Sequence, residues 1–250
     1  MTAYRINRRL FVASGAGVLG LAVYNTITGC SSSSTPSDAA PTGNAPATAA
    51  SAAESAAATG WKRITLGFVS AYVLVRGKEA AVVDTGTPGS GESIHTGLQA
   101  AGTDWGSVKH VLITHYHQDH AGGVDDLVPK VKGTFYAGAG DAGNIVSDAD
   151  IKPLNEGDDV FGLRIVNTPG HTAGHISILD TSTGTLIAGD ALRTQNGLQG
   201  SDPQFTADEA AAVASVKKLA GLDIKAILPG HGEPLTSGAK EALQKLAASL

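Results

Sequence analysis

The run Leu112-Ile113-Thr114-His115-Tyr116-His117-Gln118-Asp119-His120-Ala121-Gly122-Gly123 places three histidines and an aspartate within six residues, at the end of an apolar segment. In an extended backbone His115, His117 and Asp119 sit two apart and project toward one side. His120 breaks that alternation, and at the entry to a helix it can swing toward a neighbouring point. Three same-side ligands and one offset ligand are too many for one closed four-coordinate zinc. They suit two adjacent metal ions sharing a loop.

Other parts of the chain end in the same way. Apolar strands are expected over residues 64–68, 71–75, 80–83, 110–113, 134–136, 163–167, 175–179, 185–188 and 224–228, with a weaker one near Asp159 and a hairpin turn at Arg76-Gly77-Lys78-Glu79. Helices are expected over 93–101, 123–128 and 208–219, and from about Ser237. Four of the strands end in small-residue turns that carry Asp84, His115, Asp190 and His231, and His171 follows a fifth. Loops beyond strand ends can converge, which is where open sheets place their ligands.

The N-terminal part differs in kind. Asn7-Arg8-Arg9-Leu10-Phe11-Val12 resembles a twin-arginine export signal, and a modest apolar run follows it. Cys30, the only cysteine, closes Ile27-Thr28-Gly29-Cys30, which resembles a lipoprotein cleavage box. A lone cysteine forms no internal disulfide and cannot supply the thiolates of a structural zinc site. Residues 1–30 are therefore expected to be a signal peptide that leaves a lipid anchor at Cys30. Residues 31–60, rich in Ser, Ala, Thr and Pro, read as a tether, and 61–250 as the folded domain. The expected location is the extracytoplasmic side of a cell membrane. The formal charge is −5, and setting aside Arg5, Arg8 and Arg9 leaves 15 basic against 23 acidic residues, or −8. No basic run follows the leader, so nucleic acid is not an expected partner; a small-molecule substrate is.

His115-x-His117-x-Asp119-His120, followed in order by His171, Asp190 and His231, resembles the metallo-β-lactamase superfamily. Asp84-Thr85-Gly86, Thr168-Pro169-Gly170-His171-Thr172-x-Gly174-His175, Gly189-Asp190 and Pro229-Gly230-His231-Gly232 carry the resemblance further, over about residues 61–250. It implies an α/β fold, the αββα sandwich of two mixed β-sheets with helices on the outer faces. It also implies that His115, His117 and His171 hold one metal, that Asp119, His120 and His231 hold a second, and that Asp190 bridges both. The metals would be two Zn2+ ions, with iron or manganese also compatible. Asp119 and Asp190 are the catalytic candidates, Asp119 orienting the nucleophile or carrying a proton to the leaving group. Asp84 has no ligand position left and is placed behind the histidines. His175 is expected to hydrogen-bond within the fold, and Tyr116, Tyr136 and Arg193 are candidates for touching substrate.

Within that superfamily the resemblance favours a glyoxalase- or lactonase-like hydrolase that cleaves a small ester, lactone or thioester through a metal-bridging hydroxide. Dedicated β-lactamases of this fold generally lack the bridging aspartate that Asp190 would supply. Lactonases tend to carry a tyrosine where this chain has Arg193. Nineteen residues follow His231, so the helical domain on which glyoxalase-type enzymes bind glutathione is not expected. A β-lactamase, a mononuclear-iron persulfide dioxygenase and a non-catalytic metal-binding lipoprotein are the alternatives. Cys30→Ala is expected to release the protein from membranes. Fractionation of the variant with membranes as in the parent would show that no lipid is attached there.

Overall fold

The computed structural model describes residues 60–250. The expected signal segment 1–30 and all but the last residue of the expected tether lie outside the described residues. Order runs β1 (Trp61–Leu66), β2 (Val69–Arg76), β3 (Glu79–Val83), α1 (Gly91–Ala100), β4 (Val108–Ile113), α2 (Gln118–Ala121), α3 (Val124–Leu127), β5 (Thr134–Gly138) and β6 (Ile151–Leu154). Then come β7 (Asp159–Val160), β8 (Leu163–Asn167), β9 (Ile176–Asp180), β10 (Thr185–Gly189), β11 (Leu192–Arg193), β12 (Gln199–Gly200), α4 (Glu209–Ala220), β13 (Ala226–Pro229) and α5 (Ala239–Ser249).

The strands form two mixed sheets and one short hairpin. The first sheet has the order β1-β2-β3-β4-β5-β6, antiparallel up to β3 and parallel beyond it. The second has the order β13-β10-β9-β8-β7, with only the β10–β13 pair parallel. β11 and β12 pair separately.

The apolar residues of the central strands sort onto opposite faces, as period-two geometry requires. In β2 to β4, Ala71, Val73, Ala80, Val82, Val111 and Ile113 face an outer core with Ile94 and Leu98 of α1 and Val124 and Leu127 of α3. Their neighbours Tyr72, Leu74, Ala81, Val83 and Leu112 face the other way, against Leu163, Ile165, Ile176, Ile178 and Ile187 of the second sheet. The far face of that sheet, through Val166, Leu179, Leu186 and Ile227, packs on Val216 and Leu219 of α4 and Leu243 of α5. Three stacked cores make four layers, helix–sheet–sheet–helix, as expected. Each aliphatic side chain fully buried here contributes roughly 1.5–3 kcal/mol by removal from water.

The helices are short and locally specified. Asp208 caps α4 by accepting from the Ala211 amide, and Lys217 and Lys218 lie in its last turn, against the negative end of the helix dipole. Among the described residues no helix is long and apolar enough to cross a membrane.

Two expectations shift. Gly67, at φ +76°, turns the chain after β1, so Phe68 leaves the strand expected over 64–68 and stands 66% exposed at the turn. β6, which pairs with β5 at the sheet edge, and the β11–β12 hairpin were not expected.

At one end of the sandwich the two sheets are stitched by polar contacts. The Ile176 amide donates to Thr114 O (2.9 Å), the Ser70 amide to Gly230 O (2.9 Å) and the Tyr72 hydroxyl to Pro229 O (2.7 Å). The histidine-bearing turns leave the sheets at this end.

Candidate metal centre

Each turn arrives from a different strand. Asp84 follows β3, His115 follows β4, His171 lies between β8 and β9, Asp190 follows β10 and His231 follows β13. The extended alternation expected along the 115–120 loop stops at His117, the N-cap of α2. The His120 and Ala121 amides both donate to His117 O (3.0 and 2.8 Å), so Asp119 and His120 lie on one helical turn. That winding, rather than a run of alternating side chains, sets where Asp119 and His120 point, and it leaves the His120 ring against His115 with centroids 4.2 Å apart.

All seven expected residues meet. Their ligand atoms fall into three groups, each with its atoms within 4.8 Å of one another: His115, His117 and His171; His115, His120 and Asp190; and Asp119, His120 and His231. His171 Nε2 is 2.9 Å from His117 Nδ1, and His231 Nε2 is 3.3 Å from Asp119 Oδ2. Asp190 lies between the outer two groups, 3.4 Å from His171 Nε2, 3.2 Å from His120 Nε2 and 3.3 Å from His231 Nε2. The close approach of β13's turn requires Gly230, where a Cβ would collide with Asp190 Oδ1 and stand 2.6 Å from His120 Cε1.

The surrounding hydrogen bonds decide which imidazole nitrogen faces inward. Asp84 accepts from the Thr114 amide (2.7 Å), the Thr114 hydroxyl (2.9 Å) and His120 Nδ1 (2.8 Å). With its proton given to Asp84, the Thr114 hydroxyl accepts from His115 Nδ1 (3.1 Å). His231 Nδ1 donates to Phe68 O (2.9 Å), an acceptor only. His171 Nδ1 donates to Ser201 Oγ (2.9 Å), whose hydroxyl donates to Thr206 Oγ1 (2.7 Å), and the Thr206 hydroxyl donates in turn to Asp202 O (2.7 Å). Four histidines thus have Nδ1 occupied and Nε2 turned to the centre, and His117 faces it through Nδ1.

These donors fit a divalent metal. His115 Nε2 is buried without a hydrogen-bond partner, an expensive state that a cation relieves, and Asp190 Oδ1 is buried against His120 Nε2 at 3.2 Å. Burial holds His115 well below the usual imidazole range, so the inward nitrogen presents a lone pair. Burial likewise brings His171 down to about 4. Burial acts on His120 and His231 in the same sense, but the carboxylates outweigh it. Asp190 and Asp84 raise His120 well above its ordinary value, and hydrogen bonds to Asp119 and Asp190 carry His231 up to about 10. Burial disfavours the charged Asp190, yet the histidines hold it well below the carboxylate range.

The centre floors a cleft of about 530 Å³. Phe68, stacked parallel to His231 with centroids 5.9 Å apart, and Phe205, 59% exposed, are its large apolar groups. Of the substrate-contact candidates only Arg193 lines the cleft, and its guanidinium is bound to Asp202 (2.7 Å). Tyr116 lies edge-on to His117 at 5.0 Å and packs against the outer core, and Tyr136 stacks near His110 at 6.2 Å. Asp141 was not anticipated. Fully buried, it accepts from the Gly174 amide (2.8 Å), the Tyr116 amide (3.3 Å) and the Thr172 hydroxyl (2.5 Å), tying two ligand loops together. No motif around it signals that role.

The family model of the metallo-beta-lactamase superfamily matches residues 64–231. The chain belongs to that superfamily. With its centre of histidines and aspartates it is a metal-dependent hydrolase of metallo-beta-lactamase fold. This superfamily member is 31% identical over 212 residues to the uncharacterized protein YobT of Bacillus subtilis (strain 168), covering 71% of this chain and 90% of that one. It is 38% identical over 119 residues to a hydroxyacylglutathione hydrolase of Alkalilimnicola ehrlichii, covering 45% of this chain and only 42% of that protein. The crystal structure of a metallo-beta-lactamase family protein from Thermus thermophilus superimposes with a TM-score of 0.62 at 22% identity, covering 76% of this chain and 79% of that one.

Asp84 has φ +60°, a conformation asparagine also tolerates. Asp84→Asn should therefore keep the backbone while removing the charge behind His120 and Thr114. Its affinity for divalent metal, read by chelator competition, is expected to fall roughly 10–100-fold. An unchanged affinity would show that Asp84 braces only the turn.

Proposed function

We propose that the protein is a binuclear, zinc-dependent hydrolase of small, uncharged esters, lactones or thioesters. The observation that carries this reading is the pair of ligand groups on either side of Asp190. His115, His117 and His171 would hold one ion, Asp119, His120 and His231 the other, and Asp190 both. Imidazole and carboxylate donors suit zinc, while iron and manganese remain compatible with them. When bound, such ions polarise an acyl oxygen and make water a nucleophile at neutral pH.

The chain's own groups supply the rest. Asp119 is open to the cleft with 26% of its side chain exposed. Partial burial pushes its carboxyl up, but hydrogen bonding to His231 outweighs that and holds it below the ordinary range. It is placed to accept a proton at a carboxylate oxygen and return it to the leaving group. Phe68 and Phe205 offer apolar surface to the substrate's acyl or alcohol part. Arg193 is the one Lys or Arg among the cleft's lining residues, and Asp202 already occupies it. Among the described residues, a carboxylate-bearing group such as glutathione would therefore meet no unpaired Lys or Arg in the cleft's lining. The likeness to a hydroxyacylglutathione hydrolase supports keeping thioesters within the proposed range. The leader's Arg8-Arg9 and Cys30 support an extracytoplasmic, lipid-tethered placement.

A metal-loaded preparation should be compared on a neutral acyl-lactone, an aryl ester, a cephalosporin and a glutathione thioester. The neutral lactone or ester is expected to lead in kcat/KM by at least roughly tenfold, about 1.4 kcal/mol in transition-state stabilisation. Preference for the glutathione thioester would contradict the argument from Arg193, and preference for the cephalosporin would make the protein a β-lactamase.

A further inference from the structure

His175 lies outside the seven residues of the centre and is almost completely buried directly beneath one of them. The Asp190 amide donates to His175 Nε2 at 3.0 Å. On its other side His175 Nδ1 is 2.8 Å from Thr168 Oγ1, and that oxygen is 2.9 Å from Ser177 Oγ. Ser177 Oγ is in turn 3.1 Å from Ala188 O, two residues before Asp190. The chain of contacts therefore leaves β10's turn at Asp190 and returns to β10 at Ala188.

The direction of every hydrogen bond in this circuit is fixed from both ends. A carbonyl only accepts, so Ser177 must donate to Ala188 O. With that proton committed, Ser177 Oγ accepts from Thr168, and Thr168 Oγ1 then accepts from His175 Nδ1. At the far end the Asp190 amide only donates, so His175 Nε2 must be a bare acceptor. Two independent constraints demand the same neutral, Nδ1-protonated tautomer. The alternative tautomer would set two donors against each other at Asp190.

The turn itself depends on this packing. Gly189 has φ +51°, and a Cβ there would stand 2.7 Å from His175 Nε2 and 2.8 Å from Thr114 Cβ. The Gly189 carbonyl accepts from the Gly230 amide at 3.0 Å. The backbone that presents Asp190 is thus gripped from below by His175 and from the side by the His231 turn. A carboxylate that must reach His120, His171 and His231 together has little tolerance for a displaced backbone.

We infer that His175 is a positioning residue for Asp190, held in one tautomer by the Thr168–Ser177–Ala188 hydroxyl relay. The inference rests on the proposed role of Asp190 as the ligand shared by both metals. It assigns a consequence to Ser177, which touches nothing in the centre. Removing its hydroxyl frees the Thr168 proton to turn toward His175 Nδ1, which favours the tautomer that cannot accept from Asp190.

The test uses the full chain labelled with 15N. In the metal-free wild type, His175 should show a protonated Nδ1, an unprotonated Nε2 and an N–N coupling across the hydrogen bond from the Asp190 amide. Ser177→Ala should populate the Nε2-protonated form, weaken that coupling and lower zinc affinity roughly tenfold in chelator competition. His175→Gln, whose amide oxygen can take the place of Nε2, should retain affinity within a few-fold, whereas His175→Leu should lose it. Should His175→Leu fail to fold, Ser177→Ala and His175→Gln still decide. Wild-type coupling and affinity in Ser177→Ala, or equal losses in His175→Gln and His175→Leu, would overturn the inference. A wild type that shows the coupling but takes up no zinc would reject the binuclear reading and leave the tautomer assignment standing.

Discussion

The centre depends on where each imidazole's Nδ1 proton is sent. Five histidines and two carboxylates in mutual contact have many ways to satisfy one another, most of which would close the site. Here Asp84, the Thr114 hydroxyl, Phe68 O and the Ser201 hydroxyl take the Nδ1 protons of His120, His115, His231 and His171. Each acceptor sits outside the cluster, so each Nε2 is aimed into it. Rotating a ring abandons its Nδ1 hydrogen bond, which for the buried bonds of His115 and His120 costs about 1–3 kcal/mol for each group left unpaired.

Those acceptors are well placed only because the two sheets meet at one end. Asp84 and Thr114 belong to the first sheet's turns, Asp190 and His231 to the second's, and the Ser70–Gly230 and Ile176–Thr114 bonds join the two. The inter-sheet core of Leu112, Ile165, Ile178 and Ile187 stands behind them. A dry core next to a polar centre keeps the electrostatic interactions strong and the side chains in fixed rotamers. Burial disfavours the charged form of each of these rings, and the charges and hydrogen bonds of carboxylates reverse that at His120 and His231.

The strands that carry this arrangement were legible because both faces of β2, β3, β4, β9 and β10 are buried, giving short apolar runs bounded by Gly, Asp or His. β6 escaped notice because Ile151-Lys152-Pro153-Leu154 is a half-exposed edge strand, where proline is tolerated and apolar content is low. The crowding of His and Asp at strand ends was legible from type and spacing, since such groups are costly to bury together unless they surround a cation, and the resemblance to the superfamily singled out the seven and set Asp84 aside. The geometry of the 115–120 loop was not legible, because alternation assumes an extended chain and α2 begins at Gln118. The roles of Thr168, Ser177, Ser201 and Asp141 were not legible for a different reason. A serine or threonine that orients a histidine has no local signature, and only the folded structure brings it within reach.

The central claim is that two cations sit on either side of Asp190. Anomalous diffraction at the zinc edge from metal-loaded crystals tests it most directly. Two peaks per chain are expected, one ligated by His115, His117 and His171 and the other by Asp119, His120 and His231, with Asp190 touching both. A single peak at full metal loading, or a second peak away from Asp119 and His231, would contradict it.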